Sequence, residues 1–278
     1  MTGEPRLPAV SDAEETGPRP PAWRIAVVRA IAGLPAPLRR RVWAARRAAA
    51  RRRRRALEAR GDFSQSQPAL HSMDAQLEEL LGAGGYFVEA GANDGYQQSN
   101  TYSLERIHGW RGVLVEPVPD LHREAVLERP GARVFNCALV AAGYTEPEVT
   151  LRYGGLMTVV GGSREDDREW VAAAHAVAQE EREHEFSVPA RTLSSLLDEV
   201  GAPHVDLLSL DVEGYEPQVL AGLDLERHAP RYVLVEIRDG ETGTGPIEAV
   251  LGDRYVRFRD LSPYDVLYAR ADQDVARP

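Results

Sequence analysis

The sequence predicts an α/β fold in which a mostly parallel central sheet carries helices on both of its faces. From residue 62 onward, short apolar runs alternate with helical stretches, which is typical of parallel strands joined by helical crossovers. The last two apolar runs, YVRFRDL and YDVLYAR, follow each other around Ser262 and Pro263 and predict an antiparallel hairpin at the edge of the sheet. Hydrophobic residues make up 43% and charged residues 27% of the 278 residues, as in an ordinary globular domain.

The predicted elements follow in order from residue 74. A helix over Asp74–Leu81 ends at a group of glycines, and the strand YFVEAG then runs into a further glycine turn. The remaining core and insert strands are predicted in GVLVEP, ARVFNCALVA, PEVTLRYG, FSVPART, VDLLSLD and RYVLVEIRD. The intervening helices are predicted in QQSNTYSLERIHG, LHREAVLER, residues 164–185, LSSLLDEVG and EPQVLAGL.

The N-terminal part of the chain differs in charge from the rest. Residues 1–61 contain 15 arginines and five acidic residues, whereas the remaining residues contain 18 arginines and 38 acidic residues. Five prolines and few apolar residues predict a disordered tail over 1–22. Residues 23–61 are predicted to form a basic helical arm that is interrupted at Pro35 and Pro37. We expect removal of residues 1–61 to leave ligand binding by the domain over 62–278 intact.

Three interpretations of the arm are compatible with its sequence. It forms a solvated basic helix without a specific partner, it binds an anionic membrane surface with Trp23 and Trp43 on its apolar side, or it docks on an acidic partner. Nucleic acid is disfavoured, because the rest of the chain is strongly acidic and repels phosphates. No apolar run approaches the ~20 residues that a membrane-spanning helix requires. We therefore expect a cytoplasmic protein that associates at most peripherally with a membrane.

Two residue counts exclude whole classes of chemistry. The single cysteine, Cys137, excludes an intramolecular disulfide and fits a reducing compartment. All 33 basic residues are arginines, so Schiff-base and P-loop chemistry, which require a lysine amine, are excluded. The seven histidines do not share a spacing typical of metal ligands.

Polar residues follow five of the predicted strands. The loop EAGANDG begins at Glu89, and Glu116 ends the second strand. The other three strands lead into Asn136–Cys137, into DVEG from Asp211, and into Glu236. In open α/β sheets ligands bind beyond the carboxyl ends of the strands. We therefore expect these polar residues to converge on one binding site.

The loop EAGANDG and Glu116 favour a cationic nucleoside ligand. The loop has glycines four residues apart, which permit tight turning, but it lacks the third glycine of the dinucleotide fingerprint. Its acids suit a cation rather than a diphosphate. Glu116 lies 21 residues after Gly95, where an acid can hydrogen-bond a ribose diol. A cationic, ribose-bearing cofactor without phosphate fits S-adenosylmethionine. The missing third glycine disfavours a nicotinamide-dependent dehydrogenase.

Two stretches resemble the FkbM-type methyltransferases, namely FVEAGANDGYQQSNTYSLE…GWRGVLVEPVP and VDLLSLDVEGYEPQVLAGL. The resemblance covers residues 70–270 in outline and implies a Rossmann-like class I methyltransferase domain over 62–278, with a helical lid insert at 154–187. It implies S-adenosylmethionine-dependent O-methylation of a hydroxyl on a secondary metabolite or sugar. The SNT…LE…GW stretch is also similar to that of Star-like proteins. That similarity implies an alternative, a non-catalytic binding or trafficking module that retains the methyltransferase fold.

The resemblance also implies a cofactor site. Many family members carry a lysine three residues before the aspartate of DVEG, whereas this chain has Leu208 there. Any role of that lysine is therefore absent from this chain. The residues that the resemblance assigns to the cofactor are Glu89, Gly91, Ala92, Asn93, Gly95, Ser99, Asn100, Glu116, Asn136, Cys137 and Ala138.

The DVEG motif is the candidate for the chemistry, because Asp211 stands where a buried apolar strand opens toward the site. Asp211 or Glu213 is expected to take the proton of the acceptor hydroxyl. In the other interpretation Glu213 caps the following helix and Asp211 holds the methionine amino group of the cofactor. A third interpretation, less favoured, makes Asp211, Glu213 and Glu236 ligands of Mg²⁺.

The sequence selects no particular acceptor. The resemblance implies a small molecule or a glycan. Glu105 and Asp120 are interpreted as solvated helix residues and are not assigned to the site.

Overall fold

The computed structural model of the chain describes residues 30–31, 34–152, 159–160, 185–202, 204–237 and 243–273. The chain divides into two compact units, residues 1–46 and 47–278. The predicted tail over 1–22 and nearly all of the predicted polar helix over 164–185 lie outside the described residues.

A long arginine-rich helix, α1, occupies Ala36–Glu58. Its sequence is dominated by alanine and arginine, which are among the strongest helix formers. Pro37 stands in its first turn, where the missing N–H of proline leaves no intrahelical hydrogen bond unmade. A helix in this arm was predicted, and the prolines mark its N-terminal end. The boundary between the two units falls inside α1, after Arg46, whereas the predicted arm extends to residue 61.

The second unit contains two sheets. Its strands among the described residues are β1 (Tyr86–Ala90), β2 (Arg111–Val115), β3 (Ala132–Phe135), β4 (Ala138–Leu139), β5 (Glu148–Arg152), β6 (Val159–Val160), β7 (Glu185–Arg191), β8 (Leu207–Leu210), β9 (Tyr232–Glu236), β10 (Tyr255–Asp260) and β11 (Asp265–Arg270). The larger sheet has seven strands in the order β10-β11-β9-β8-β1-β2-β3. Strands β3, β2, β1, β8 and β9 are parallel to one another. Strand β11 pairs antiparallel with β9, and β10 pairs antiparallel with β11, which confirms the predicted mostly parallel sheet with a C-terminal hairpin.

Six helices follow α1 among the described residues. They are α2 (Met73–Leu81), α3 (Tyr102–His108), α4 (Pro119–Glu128), α5 (Leu193–Val200), α6 (Glu216–Leu220) and α7 (Gly245–Leu251). The predicted helix in QQSNTYSLERIHG is shorter than expected, because α3 begins only at Tyr102. Residues 97–101 belong instead to the loop that follows β1.

Helices cover both faces of the large sheet. Successive residues of β1 point to opposite sides, and they join two different buried clusters. Phe87 packs in one cluster with side chains of α2 and α3. Val88 and Ala90 pack in the other with side chains of α5, α6 and α7. The predicted arrangement with helices on both faces is therefore confirmed.

The smaller sheet has the order β4-β7-β5-β6. The prediction of a single strand in ARVFNCALVA is wrong. The chain leaves the large sheet after Phe135, and Ala138 and Leu139 pair with β7. Most of the predicted helical insert at about 154–187, residues 154–158 and 161–184, lies outside the described residues. Of the rest, residues 159–160 form β6 and residues 185–187 belong to β7, and both strands pair with β5.

Candidate functional site

A cavity of about 370 Å³ opens at the carboxyl ends of the central parallel strands. The order of the strands reverses between β1 and β8, and a crevice at such a point is where ligands bind in open α/β sheets. The loops after β1, β2 and β8 line the cavity together with the end of β9. The polar residues at the ends of these strands therefore lie at one cavity, as expected.

The loop after β1, residues 91–101, approaches the end of β8 closely. Gly91 has φ +83°, and a Cβ atom at this residue would lie 1.8 Å from the carbonyl oxygen of Asp211. The backbone N–H groups of Gly91 and Ala92 both donate to the carbonyl of Val115, at 3.1 Å each. Only glycine permits this approach without strain, so the loop and the DVEG turn are fixed relative to each other.

Glu89, near the C-terminal end of β1, holds loop 91–101 in place through hydrogen bonds. Its carboxylate accepts the backbone N–H of Asn100 at 2.8 Å and the hydroxyls of Ser99 and Thr101 at 2.8 and 2.6 Å. Its side chain is buried and lines the cavity. The carboxylate thus has partners within the protein, and its first role is to hold the loop.

Arg129 completes this arrangement and was not anticipated from the sequence. It is fully buried, and its guanidinium lies 3.3 Å from the Glu89 carboxylate and 2.7 Å from that of Glu105. It also donates to Ser99 Oγ and to the carbonyl oxygens of Gly95 and Thr101. The interpretation of Glu105 as a solvated helix residue is wrong, since it is the buried counter-ion of Arg129. Nothing in the stretch LHREAVLER distinguishes this arginine from a surface residue.

Glu116 ties the loop after β2 to loop 91–101. One carboxylate oxygen accepts the N–H of Asn93 and the other accepts the N–H of Val118, both at 2.8 Å. Burial raises the pKa of Glu116 to about 8, although these two N–H groups lower it, and the charge of Asp94 adds to the rise. A carboxylate held in this way is rigid and faces the cavity.

Two of the residues assigned to the cofactor do not line the cavity. Asn136 donates its side-chain amide to the carbonyl oxygens of Glu116 and Pro117, at 2.9 and 2.7 Å, so it orients the loop after β2. Gly95 packs against α4, where a Cβ atom would lie 3.0 Å from Ala125 and from Arg129. Both residues shape the site without forming its surface.

An apolar wall lies beside Glu116. It includes Cys137 and Ala138 together with Val118, Leu121 and Leu139. Burial raises the pKa of the Cys137 thiol to about 12. The thiol is therefore neutral, and the residue contributes a small apolar surface.

Asn100 presents a buried polar atom at the opposite end of the cavity. Its amide nitrogen donates to Ser209 Oγ of β8 at 3.2 Å. Among the described residues its carbonyl oxygen has no hydrogen-bond partner, although the residue is only 8% exposed. A buried acceptor of this kind is costly unless a donor reaches it, so this point of the cavity suits a ligand N–H group.

The DVEG turn brings Asp211 and Glu213 to the cavity. The cap of this turn is Glu216, whose carboxylate accepts the N–H groups of Val212 and Gly214 at 3.0 and 3.1 Å. These two N–H groups belong to the turn and not to α6, so the interpretation in which Glu213 caps the helix stays a prediction. Glu213 itself has φ +61°, a conformation that is rare for a side chain of this size and frequent at functional sites.

Two further acids, Glu236 and Asp265, lie side by side at the cavity. They are paired across the antiparallel strands β9 and β11, and both line the cavity. Burial raises the pKa of Asp265, and the Ser262 hydroxyl that donates to it lowers the pKa less than burial raises it. Asp265 escaped the sequence analysis because it begins the last strand, whereas the polar residues sought there follow parallel strands.

A metal site is not formed by these acids in the described part of the chain. No three histidine, cysteine, aspartate or glutamate side chains within that part are grouped so that they would hold an ion. The proposed Mg²⁺ ligands Asp211, Glu213 and Glu236 share the cavity without forming such a group.

Acidic residues are the only charged side chains among the described residues that line the cavity. Six acidic residues line it, and among the described lining residues there is no arginine or histidine. The acids are Glu89, Glu116, Asp211, Glu213, Glu236 and Asp265. Such a surface repels phosphates and attracts cations.

The family described as the methyltransferase FkbM domain matches residues 89–259. This match spans more than half of the chain and includes the last two residues of β1 together with all of β2, β8 and β9. The chain belongs to the FkbM methyltransferase family. The Rossmann-like methyltransferase fold expected from the sequence is the fold of its large sheet.

Two of the similar solved structures are methyltransferases with low sequence identity to this chain. A TehB-like SAM-dependent methyltransferase from Corynebacterium glutamicum is 13% identical, with 81% of this chain and 98% of that chain covered and a TM-score of 0.38. A SAM-dependent methyltransferase from Aquifex aeolicus is also 13% identical, with 75% and 93% covered and a TM-score of 0.36. No curated protein matches the chain. The family assignment thus stands on the match over residues 89–259.

Proposed function

We propose that this FkbM-family protein transfers the methyl group of S-adenosylmethionine to a hydroxyl of a small-molecule or glycan acceptor. The observation that carries this proposal is the cavity at the β1/β8 crevice, which is lined by six acids and, among its described residues, by no basic side chain. Its volume, about 370 Å³, falls in the range of small-ligand pockets. A phosphate-free cation that carries a nucleoside fits this combination.

The described residues fit the three parts of such a cofactor. The unpartnered carbonyl oxygen of Asn100 would accept the N–H of an ammonium group. The fixed carboxylate of Glu116 would accept hydrogen bonds from a ribose diol. The apolar wall with Cys137 and Ala138 would cover an adenine ring. When bound, the cofactor supplies a methyl group on a positively charged sulfur.

The acceptor is expected at the side of the cavity formed by β8 and β9. Methyl transfer to an oxygen depends mainly on orientation and on exclusion of water, and the protein must also take one proton from the hydroxyl. Asp211 and Glu213 border this side. Their position at the cavity, directly after β8, supports the role of proton acceptor for one of them.

The alternative is a non-catalytic module that retains the fold. The similarity of the SNT…LE…GW stretch to Star-like proteins motivates it, and the family lysine is replaced by Leu208 in this chain. Leu208 is 1% exposed within β8 and packs in the core beneath the site. Full retention of the polar strand ends supports catalysis, because a binding module would not need them.

Titration calorimetry with S-adenosylmethionine, S-adenosylhomocysteine and NAD tests the proposal. We expect both sulfur nucleosides to bind and NAD to give no heat, since its diphosphate meets the acidic cavity. Binding of S-adenosylhomocysteine together with methyl transfer to a hydroxylated acceptor would support the enzyme. Binding without transfer to any acceptor in a broad panel would favour the non-catalytic alternative, and absence of binding would refute both the cofactor and the reaction.

We also propose that the exposed side of α1 binds an anionic surface. Arg52, Arg53 and Arg60 are exposed near the C-terminal end of this helix. No helix of the described residues is long and apolar enough to cross a membrane. A peripheral, salt-sensitive contact with anionic lipid is the form of association that such arginines support.

A further inference from the structure

The C-terminal turns of α1, residues 47–58, form part of the second unit. Arg47 and Arg51 lie 3.7 and 3.1 Å from the carboxylate of Glu124 on α4. Glu58 receives two hydrogen bonds from Arg106 of α3, at 2.6 and 3.0 Å. Along this stretch the helix is held to α3 and α4 by charged groups on one side, so it is not a solvated helix without partners.

Arg54 is the most deeply buried residue of these docked turns. It is 6% exposed, and its guanidinium lies 2.7 Å from the carboxylate of Glu128, which is itself 4% exposed. The guanidinium also stacks on the ring of Tyr96, with 3.4 Å between its central carbon and the ring centroid. Such a contact combines a buried ion pair with a cation–π interaction.

Two tyrosines connect Arg54 to loop 91–101. Tyr96 belongs to this loop, and its ring meets the ring of Tyr102 edge to face, with centroids 5.0 Å apart. The Tyr102 hydroxyl oxygen lies 3.0 Å from a carboxylate oxygen of Glu58 and 3.2 Å from one of Glu128, and its single proton is donated to one of the two at a time. The loop that lines the cavity therefore rests on side chains that α1 holds in place.

The conformation of loop 91–101 requires such support. Asn93 and Gln98 both adopt positive φ, at 51° and 60°, and non-glycine residues persist in this region only where the surrounding structure holds them there. Arg129 and Glu89 hold the loop from the side of the sheet. Arg54 holds it from the other side, through Tyr96.

We propose that Arg54 is a positioning residue for the cofactor, and that the docked turns of α1 keep loop 91–101 in its binding conformation. The inference rests on the proposed function, because it assigns this loop to the cofactor. It replaces the expectation that residues 1–61 are dispensable for ligand binding. The arginines of the basic arm then have two roles. The docked arginines support the cofactor site, and the exposed arginines face outward.

Calorimetry with S-adenosylhomocysteine on the full-length chain tests the proposal. We expect Arg54→Ala to weaken binding at least about tenfold, since affinity falls with the fraction of molecules whose loop is competent to bind. Arg123→Ala is the matched control, because Arg123 is an exposed arginine of α4 whose partner is the exposed Asp120. It should leave the dissociation constant within about twofold of wild type. Wild-type affinity in Arg54→Ala would overturn the proposal.

Hydrogen exchange separates positioning from a general loss of stability. In unliganded Arg54→Ala, amides of residues 91–101 should exchange faster while those of β9 and β11 keep their wild-type rates. Leu251→Ala, in the core on the face covered by α7, should lower the melting temperature without changing the dissociation constant. Equal acceleration throughout the domain in Arg54→Ala, or none in the loop, would contradict the proposal.

A variant that does not fold, or a wild type that does not bind, requires a further measurement. If Arg54→Ala does not fold because Glu128 is left unpaired, the double variant Arg54→Met, Glu128→Gln removes both charges and should show the same local exchange and weaker binding. Wild-type exchange in the loop of that folded double variant would overturn the proposal. If the wild type itself does not bind S-adenosylhomocysteine, the proposed function fails, and exchange in residues 91–101 still decides whether Arg54 positions the loop.

Discussion

The carboxylate of Glu116 accepts the backbone N–H of Asn93 at 2.8 Å, which joins the end of β2 to the loop that follows β1. Its second oxygen accepts the N–H of Val118 at the same distance. Both oxygens are thus fixed before any ligand arrives, and the side chain is 5% exposed. A pre-oriented carboxylate of this kind loses little freedom when a hydroxyl donates to it, which favours affinity.

The buried Glu116 makes the stability of the unliganded protein depend on pH. Burial raises its pKa from 4.5 to about 8, so the folded chain binds this proton more tightly than the unfolded chain. Its contribution to the free energy of unfolding is fully present below about pH 4.5 and is lost as the pH rises through about 8. Between these two pH values, the free energy of unfolding measured with urea should decline in the wild type but not in Glu116→Gln. The same slope in both proteins would contradict the assignment.

Cofactor affinity should respond to the same group in the opposite direction. Ribose hydroxyls that donate to Glu116 favour its ionised form, so the affinity for S-adenosylhomocysteine should rise as the pH approaches about 8. Calorimetric titrations at several pH values measure this rise. Glu116→Gln should bind S-adenosylhomocysteine more weakly, and its affinity should not rise with pH. This variant also controls for titration of the ligand itself. A rise of equal size in Glu116→Gln would show that another group is responsible.

Gly91 is predicted to tolerate no side chain. Its φ is +83°, and a Cβ atom added to this residue would lie 1.8 Å from the Asp211 carbonyl oxygen, so Gly91→Ala must move either loop 91–101 or the DVEG turn. We expect a loss of more than about 2 kcal/mol in the free energy of unfolding, from the positive φ and the clash together. Gly143→Ala is the control, since a Cβ at Gly143 meets nothing within 4 Å. Equal stability of the two variants would disprove the close approach.

The fold followed from the sequence because its signals are local. The buried runs FVEA, GVLV, LLSL and YVLVE are short and apolar, and glycine turns or helices separate them, so the parallel sheet and its ligand edge were predictable. The same alternation placed Glu116, Asp211 and Glu236 at one edge. The break of ARVFNCALVA at Asn136 was not predictable, because both halves are apolar and only pairing with distant β7 separates them.

The parts of the site that the sequence missed depend on tertiary contacts. Arg129 and Glu105 read as ordinary charged helix residues, and only their mutual distance of 2.7 Å explains their burial. Glu216 has the charge and position expected of any residue in a first helical turn, yet it caps the DVEG turn. The docking of α1 was equally hidden, since an arginine that meets Glu128 and one that faces solvent have the same local sequence.

The exposed arginines at the C-terminal end of α1 and just beyond it are expected to bind anionic vesicles. Replacing Arg52, Arg53 and Arg60 with alanine should abolish cosedimentation with vesicles that contain phosphatidylserine, because each basic residue near such a surface contributes about 1 kcal/mol. Wild-type association should fall as salt is raised from about 0.1 to about 1 M, where the screening length drops from about 10 to about 3 Å. Binding that does not depend on salt would contradict an electrostatic contact.

A charge-matched variant controls for the net charge of the protein. Arg227, Arg254 and Arg257 are half-exposed arginines, each paired with an acid on the body of the domain. Their replacement with alanine removes the same charge without touching α1, so vesicle association should persist. Loss of association in both triple variants would indicate that overall charge, and not the face of α1, determines binding.

The acids of the DVEG turn should separate chemistry from cofactor binding. If Asp211 or Glu213 takes the proton of the acceptor hydroxyl, the amide variant of that residue keeps the shape but cannot accept the proton. Turnover should fall ~10²–10⁴-fold, with the dissociation constant of S-adenosylhomocysteine little changed. Asp120→Asn is the control, since Asp120 is an exposed helix residue, and its turnover should equal that of the wild type.

The two roles open to Asp211 predict different results in calorimetry, which requires no acceptor and is therefore the first measurement. Asp211→Asn should weaken S-adenosylhomocysteine binding together with turnover if Asp211 holds the cofactor ammonium group. It should leave binding intact if Asp211 is the proton acceptor. Glu213→Gln should leave binding intact in either case, because the cap of the turn comes from Glu216 and survives the substitution. Wild-type binding and wild-type turnover in both variants would remove the DVEG acids from the mechanism. Glu236 and Asp265, which also line the cavity, would then be the next carboxylates to test as proton acceptors.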